Sequence, residues 1–192
     1  MLSPDTDIDL SLLQRIVARD ETAIAELYDR HSRLAFSVIR RILRRPADAE
    51  DVLQETFVRV WARADTYDAR LGSPATWLTR IARNRAIDRL RAQRARADVD
   101  ASLAVDSDTD RTRELDLRET QGVPMEDAAA AVTIRDAVSH LPEAQRVLIE
   151  AAFFEGYTHQ ELAMRFGVPL GTVKTRIRTG LTALRGRLEQ AV

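Results

Sequence analysis

From Tyr157 to Arg187 the chain reads YTHQELAMRFGVPLGTVKTRIRTGLTALRGR, an order that leaves room for little besides two short helices joined by a tight corner. Thr158 and Glu161 have the S/T-x-x-E spacing of a capping box, which starts a helix by satisfying its first free N–H groups. Leu162, Ala163 and Phe166 give that helix an apolar face. Gly167 supplies the residue that leaves the helix at positive φ, and Pro169 pre-sets φ for the first turn of the helix that follows. Beyond the corner, Val173, Ile177, Leu181, Leu184 and Leu188 recur at helical steps. Thr172, Lys174, Thr175, Arg176, Arg178, Thr179 and Arg185 fall outside that stripe.

Two helices around a glycine corner, the second with a free face of Thr, Lys and Arg, have the layout of a helix-turn-helix that reads the DNA major groove. An αα-hairpin with a solvated basic face has the same outline. The absence of any acidic residue from Gly167 to Arg187 favours the first reading, because a solvated helix ordinarily mixes signs.

A net charge of −1 over 192 residues conceals strong segregation. Trp77 to Ala97 holds seven arginines against Asp88, and Thr158 to Val192 holds six basic residues against Glu161 and Glu189. Between them, Asp98 to Asp127 carries ten acids against three arginines. Two basic modules separated by an acidic tether suit an anionic polymer bound at two places. Scarce glycine and proline with abundant Ala, Leu and Arg favour an all-α chain, and 192 residues permit one large or two small helical domains. The chain has no cysteine, so it has neither disulfides nor thiolate metal sites and fits a reducing compartment. His31, His140 and His159 match no metal spacing and are expected at the surface or as caps. No metal or cofactor is expected. The acidic MLSPDTDIDL opening lacks the pattern of a signal peptide, and no apolar run approaches a membrane span, so a cytoplasmic location without membrane insertion is expected.

Residues 1 to 7 read as a loose tail. Helical spacing runs from Asp9 to Asp20, and a second helix continues towards Pro46, with Asp20 or Thr22 as its cap. In Asp48 to Ala62, Val52, Leu53, Thr56, Phe57 and Val60 fall on one side, and Asp51, Gln54 and Glu55 fall together on the other. That acidic edge is expected to face out, as a solvated surface on composition alone. Asp68, Gly72, Ser73 and Pro74 mark a loop, after which Trp77, Leu78, Ile81, Ala82, Ala86, Ile87 and Leu90 cover too much of the wheel for one-sided packing. The arginines between them have aliphatic stems for packing and guanidinium heads for phosphates. Residues 98–128 read as a flexible acidic linker. Helical spacing resumes at Ala128 to Val138, and Pro142 and Gly156 bracket a helix that would floor the helix-turn-helix.

In this order the parts resemble the sigma-70 family of bacterial transcription initiation factors, in particular the extracytoplasmic-function (ECF) subfamily. The carriers are DVLQETFVRVW at 51–61, GSPATWLTRIARNRAIDRLR at 72–91 and GYTHQELAMRFGVPLGTVKTRI at 156–177. The resemblance implies a region 2-like domain over 1–97, the linker 98–128, and a region 4-like helix-turn-helix domain over 129–192. It implies that Asp51, Gln54, Glu55 and Phe57 bind core RNA polymerase, which gives the acidic edge a partner in place of solvent. It also implies that Leu71, Gly72, Ser73, Arg80, Arg83, Asn84, Asp88 and Arg91 meet the promoter −10 element, where a base is held out of the duplex. The −35 element falls to Thr172, Lys174, Thr175, Arg176, Arg178, Thr179 and Arg185, with Lys174, Thr175 and Arg178 as base readers and Arg176 and Arg185 on phosphates. Partners implied are core polymerase, promoter DNA and an anti-sigma protein. No catalysis is implied. Gly180 departs from the alanine more usual in the family. The competing readings are a transcriptional regulator with a LuxR-like helix-turn-helix, which needs no arginine helix, and a helical adaptor that binds only proteins.

Overall fold

The computed structural model describes residues 4–103 and 136–190, all helix, turn or coil, with no strand among them. The chain divides between Val99 and Asp100 into two compact units.

In the first unit, α1 (Pro4–Val17) opens on a proline with Asp5 and Asp7 in its first turn, where acids favour the positive end of the helix dipole. The segment from residue 4 expected as loose tail is therefore helical. Arg30 of the next helix bonds Asp5 at 3.0 Å and Asp9 at 2.8 Å, which anchors that turn. Asp9 also accepts a hydrogen bond from His31 at 2.7 Å. Both side chains are buried, so His31 is a core group and not the surface or capping residue its isolation suggests.

Helix α1 stops at a corner where Arg19 takes φ +68, an uncommon conformation for a residue with a β-carbon. Its guanidinium lies 5.5 Å from the centre of the Trp61 ring, a contact that offsets part of the strain. Asp20 caps α2 (Glu21–Ile42) by accepting from the Thr22 amide, and Pro46 opens α3 (Pro46–Arg63). Ile16, Leu27, Ile39, Val52, Val60 and Leu78 are almost fully buried and form the heart of this unit. Helix α4 (Pro74–Leu103) runs on into the stretch read as linker. The rest of that stretch, 104–128, lies outside the described residues.

The second unit contains a helical turn at 136–139, α5 (Glu143–Phe154), α6 (His159–Arg165) and α7 (Leu170–Gln190). Leu162, Val173, Leu148, Ile149 and Ile177 make its core. The expected helix from Ala128 is described only from residue 136.

The stripe of α7 differs from the sequence reading. Leu181 is half exposed, and Gly180 is buried in its place. Steps of four and three are equally helical, so periodicity cannot choose between 180 and 181, and the approach of α5 decides. A β-carbon at Gly180 would lie 2.6 Å from Ile149 Cδ1 and 3.2 Å from Gln145 Cβ. Glycine lowers helix propensity by about 1 kcal/mol, and close packing here requires it. Gly180→Leu is expected to destabilise the unit by about 1–3 kcal/mol through overpacking. Gly180→Ala should lose less when combined with Ile149→Val, which removes the obstructing methyl, and urea unfolding of the single and double variants measures the coupling. Strict additivity would contradict the contact.

Candidate polymerase and promoter interfaces

Three surfaces carry the residues expected to meet polymerase and promoter. The first is the polar edge of α3. Asp51 and Gln54 are exposed as expected. Glu55 is not turned outward: it is half buried and bonded to Arg85 and, at 3.0 Å, to Arg89 of α4. Burial alone would raise its pKa, but the two guanidinium groups outweigh that and hold the carboxyl below its usual value. Arg89 also bonds Asp48 at 3.2 Å and lies 3.7 Å from Asp51. The acidic edge is thus partly neutralised from within. Phe57 is buried, with its ring 4.7 Å from that of Tyr28, so it supports α3 from below and offers no surface to a partner.

The sequence reading passed over Val58, an aliphatic side chain 69% exposed on this edge. Its signal was available: it stands four residues after Gln54 and seven after Asp51, the spacing of one helix face. Together with Arg59 and Ala62 it lines an open groove of about 590 Å³, flanked by Arg85 and Arg89.

The second surface is the loop before α4 and the helix itself. Ala69–Leu71 form a short 3₁₀ turn capped by Asp68, which accepts from the Arg70 amide at 3.0 Å and from the Arg70 guanidinium at 2.7 Å. Gly72 follows at φ 129, ψ 174, a region essentially closed to other residues. Leu71 is left 66% exposed at the tip. On α4, Arg80, Asn84, Asp88 and Arg91 are exposed, whereas Arg83 is half buried. Burial first, and then the charge of Arg91, lower the Arg83 pKa from the ordinary arginine value. Trp77, Leu78, Ala82, Ala86 and Ile87 are buried, as the wide apolar coverage of this helix requires.

The third surface is α7. The Thr158–Glu161 capping box is formed reciprocally, with Glu161 accepting from the Thr158 amide at 2.6 Å. Gly167 has φ +61 and turns the corner. Pro169 sits just before the helix, its carbonyl accepting from Val173 at 3.1 Å, one place earlier than the first-turn position expected. Lys174, Thr175, Arg178, Thr179 and Arg185 are exposed, and Thr172 and Arg176 are half buried. The Thr175 hydroxyl donates to Gly171 O at 2.9 Å, which leaves its oxygen available only as an acceptor.

Among the described residues no cluster of His, Asp and Glu has the geometry of a metal site, and no helix is long and apolar enough to cross a membrane.

Comparison with known proteins covers both units. Residues 27–96 match the family model described as Sigma-70 region 2, and residues 137–186 match Sigma-70, region 4. The chain is 40% identical over 167 residues to the ECF RNA polymerase sigma factor RpoE of Cereibacter sphaeroides, covering 87% of each. It is 32% identical to the ECF RNA polymerase sigma factor SigK of Mycobacterium sp. (strain JLS), covering 95% of this chain and 91% of that one. A crystal structure of Rhodobacter sphaeroides SigE in complex with the anti-sigma ChrR aligns at 32% identity, with a TM-score of 0.45 over 91% of this chain and 96% of that one. A LuxR-like regulator would leave the region 2 match without a place. The chain belongs to the ECF group of the sigma-70 family of RNA polymerase sigma factors, a family of transcription initiation factors.

Proposed function

We propose that the three surfaces divide the work of promoter-specific initiation. Residues 1–97 hold core polymerase and the −10 element, 98–128 tether, and 129–192 read the −35 element. Asp51 and Gln54, with Val58 between their turns, form the contact with core RNA polymerase; Glu55 fixes that edge to α4, and Phe57 supports it. Leu71 to Ser73 and the exposed Arg80, Asn84, Asp88 and Arg91, with Arg83 beside them, meet the −10 strand. Extruding a base costs a few kcal/mol, which contacts to the base and neutralised phosphates offset, so strand opening needs no chemical step by this chain. The protein works in the cytoplasm beside polymerase, and an anti-sigma protein restrains it, as often happens in the family.

On α7, Lys174, Thr175 and Arg178 read bases, with Thr172 and Thr179 beside them, and Arg176 and Arg185 hold phosphates. The observation that carries this reading is the exposed Lys174–Thr175–Arg178 face, free of acids, opposite a packed Val173–Ile177–Gly180 edge. A bidentate arginine–guanine contact is worth about 1–3 kcal/mol of discrimination. Arg178→Ala is therefore expected to lower transcription about 10-fold or more at the preferred −35 sequence and far less at altered ones. Transcription in vitro with core polymerase and a set of −35 variants is the measurement. An equal loss at every sequence would reduce Arg178 to a phosphate contact.

A further inference from the structure

The hook from Asp68 to Ser73 is built mostly from bonds to itself and to the helix it leads into. Asp68 holds Arg70, and the Ser73 and Thr76 hydroxyls lie 3.0 Å apart at the start of α4. Neither contact joins the segment entering the hook to the segment leaving it, and the backbone bond from Leu71 N–H to the Asp68 carbonyl, 3.0 Å, closes only the 3₁₀ turn. Tyr67 does. Its hydroxyl donates to the Gly72 carbonyl at 2.9 Å, across the mouth of the hook. Its ring stands edge-on to Trp77, 5.8 Å between centres at 76°, and Trp77 is buried in the first unit. The chain thus closes the hook with a rigid side chain whose other face is fixed in the core.

We propose that Tyr67 is a positioning residue for promoter opening: through Gly72 it holds the hook in the shape that presents Leu71 to the −10 strand. The proposal rests on the assignment of that loop to the −10 element. A loop already held in its bound shape loses less freedom when it engages DNA, so the bond acts on recognition more than on folding. Gly72 cannot be exchanged for a stiffer residue, because its backbone is closed to side chains and a β-carbon would press to 3.3 Å from Thr76 Cγ2. An external brace is the remaining means of fixing the segment. The phenol is suited to it: burial first, and then the charge of Asp68, raise its pKa, so it remains a donor across the physiological range.

Tyr67→Phe keeps the ring against Trp77 and removes only the bond. In holoenzyme on a promoter carrying a 2-aminopurine in the −10 element, we expect opening to fall about 3- to 10-fold, the range for one hydrogen bond. Discrimination against an altered −10 base should fall with it, and amide exchange across 67–76 should quicken. Core affinity should stay unchanged, and the thermal melt should fall only by the few degrees that one hydrogen bond is worth. Leu71→Ser is the companion variant. A defect in Leu71→Ser with wild-type opening in Tyr67→Phe overturns the positioning role alone. Silence in both overturns the loop assignment and the proposal with it. A Tyr67→Phe defect that is equal at every −10 sequence marks a structural role and overturns it as well.

Discussion

Asp51→Lys combined with Val58→Glu is expected to weaken binding to core polymerase by at least about 100-fold, since the few hot-spot residues at the centre of an interface cost about 2 kcal/mol or more each when lost, and both changes also place a wrong charge there. The same pair should lower the melting temperature of the free protein only slightly, because Val58 is 69% exposed and the Asp51 side chain is 64% exposed, so its 3.7 Å pairing with Arg89 is screened by solvent and worth little. That separation makes this pair a sharper probe than reversing Glu55. A lysine at 55 would face Arg85 and Arg89 and weaken the α3–α4 contact whether or not polymerase touches it. Co-purification and a competition assay with core enzyme measure the effect. A double variant that binds core within about threefold of wild type would remove the α3 edge from the interface.

The second large effect concerns stability. Leu162→Ala should destabilise the C-terminal unit by about 2–5 kcal/mol, because it empties a fully buried site bounded by helices on several sides. Small helical units rarely hold more than about 5 kcal/mol in total, so this change takes it to the edge of unfolding. Calorimetry should show an early transition confined to that unit, while core binding through α3 survives. A loss under about 1 kcal/mol would mean that Leu162 does not lie at the centre of the core.

Local chemistry is what the sequence made readable. The capping box, the Gly167 corner and the Val173–Ile177 part of the α7 face lie within one short stretch, and each appears where its residues require it. The wide burial of α4 could also be read, because so many apolar positions leave no single-sided solution. What escaped depends on distant partners. Asp9 and His31 are 22 residues apart, and Glu55 and Arg85 are 30 apart. A lone histidine gives no sign of the carboxylate that will bury it. Helical angle turns the acidic edge of α3 outward but says nothing about two arginines that arrive from another helix. Hydrophobicity favours Leu181 over Gly180 for the packed face, whereas the space left by Gln145 and Ile149 decides the matter. Thus the modules and their order were legible, and the long-range pairings within the first unit were not.

The Asp9–His31–Arg30 cluster has a consequence for how the protein can be divided. The recognisable region 2 begins at residue 27, within α2, yet α1 supplies the carboxylate on which a buried imidazole and a guanidinium both depend. A fragment trimmed to that homology limit would lose Leu12, Leu13 and Ile16, uncover the apolar surface they bury against, and strand two polar groups of α2 without their acceptor. The leading helix is a keystone of the first unit, although it lies upstream of the part by which the family is recognised.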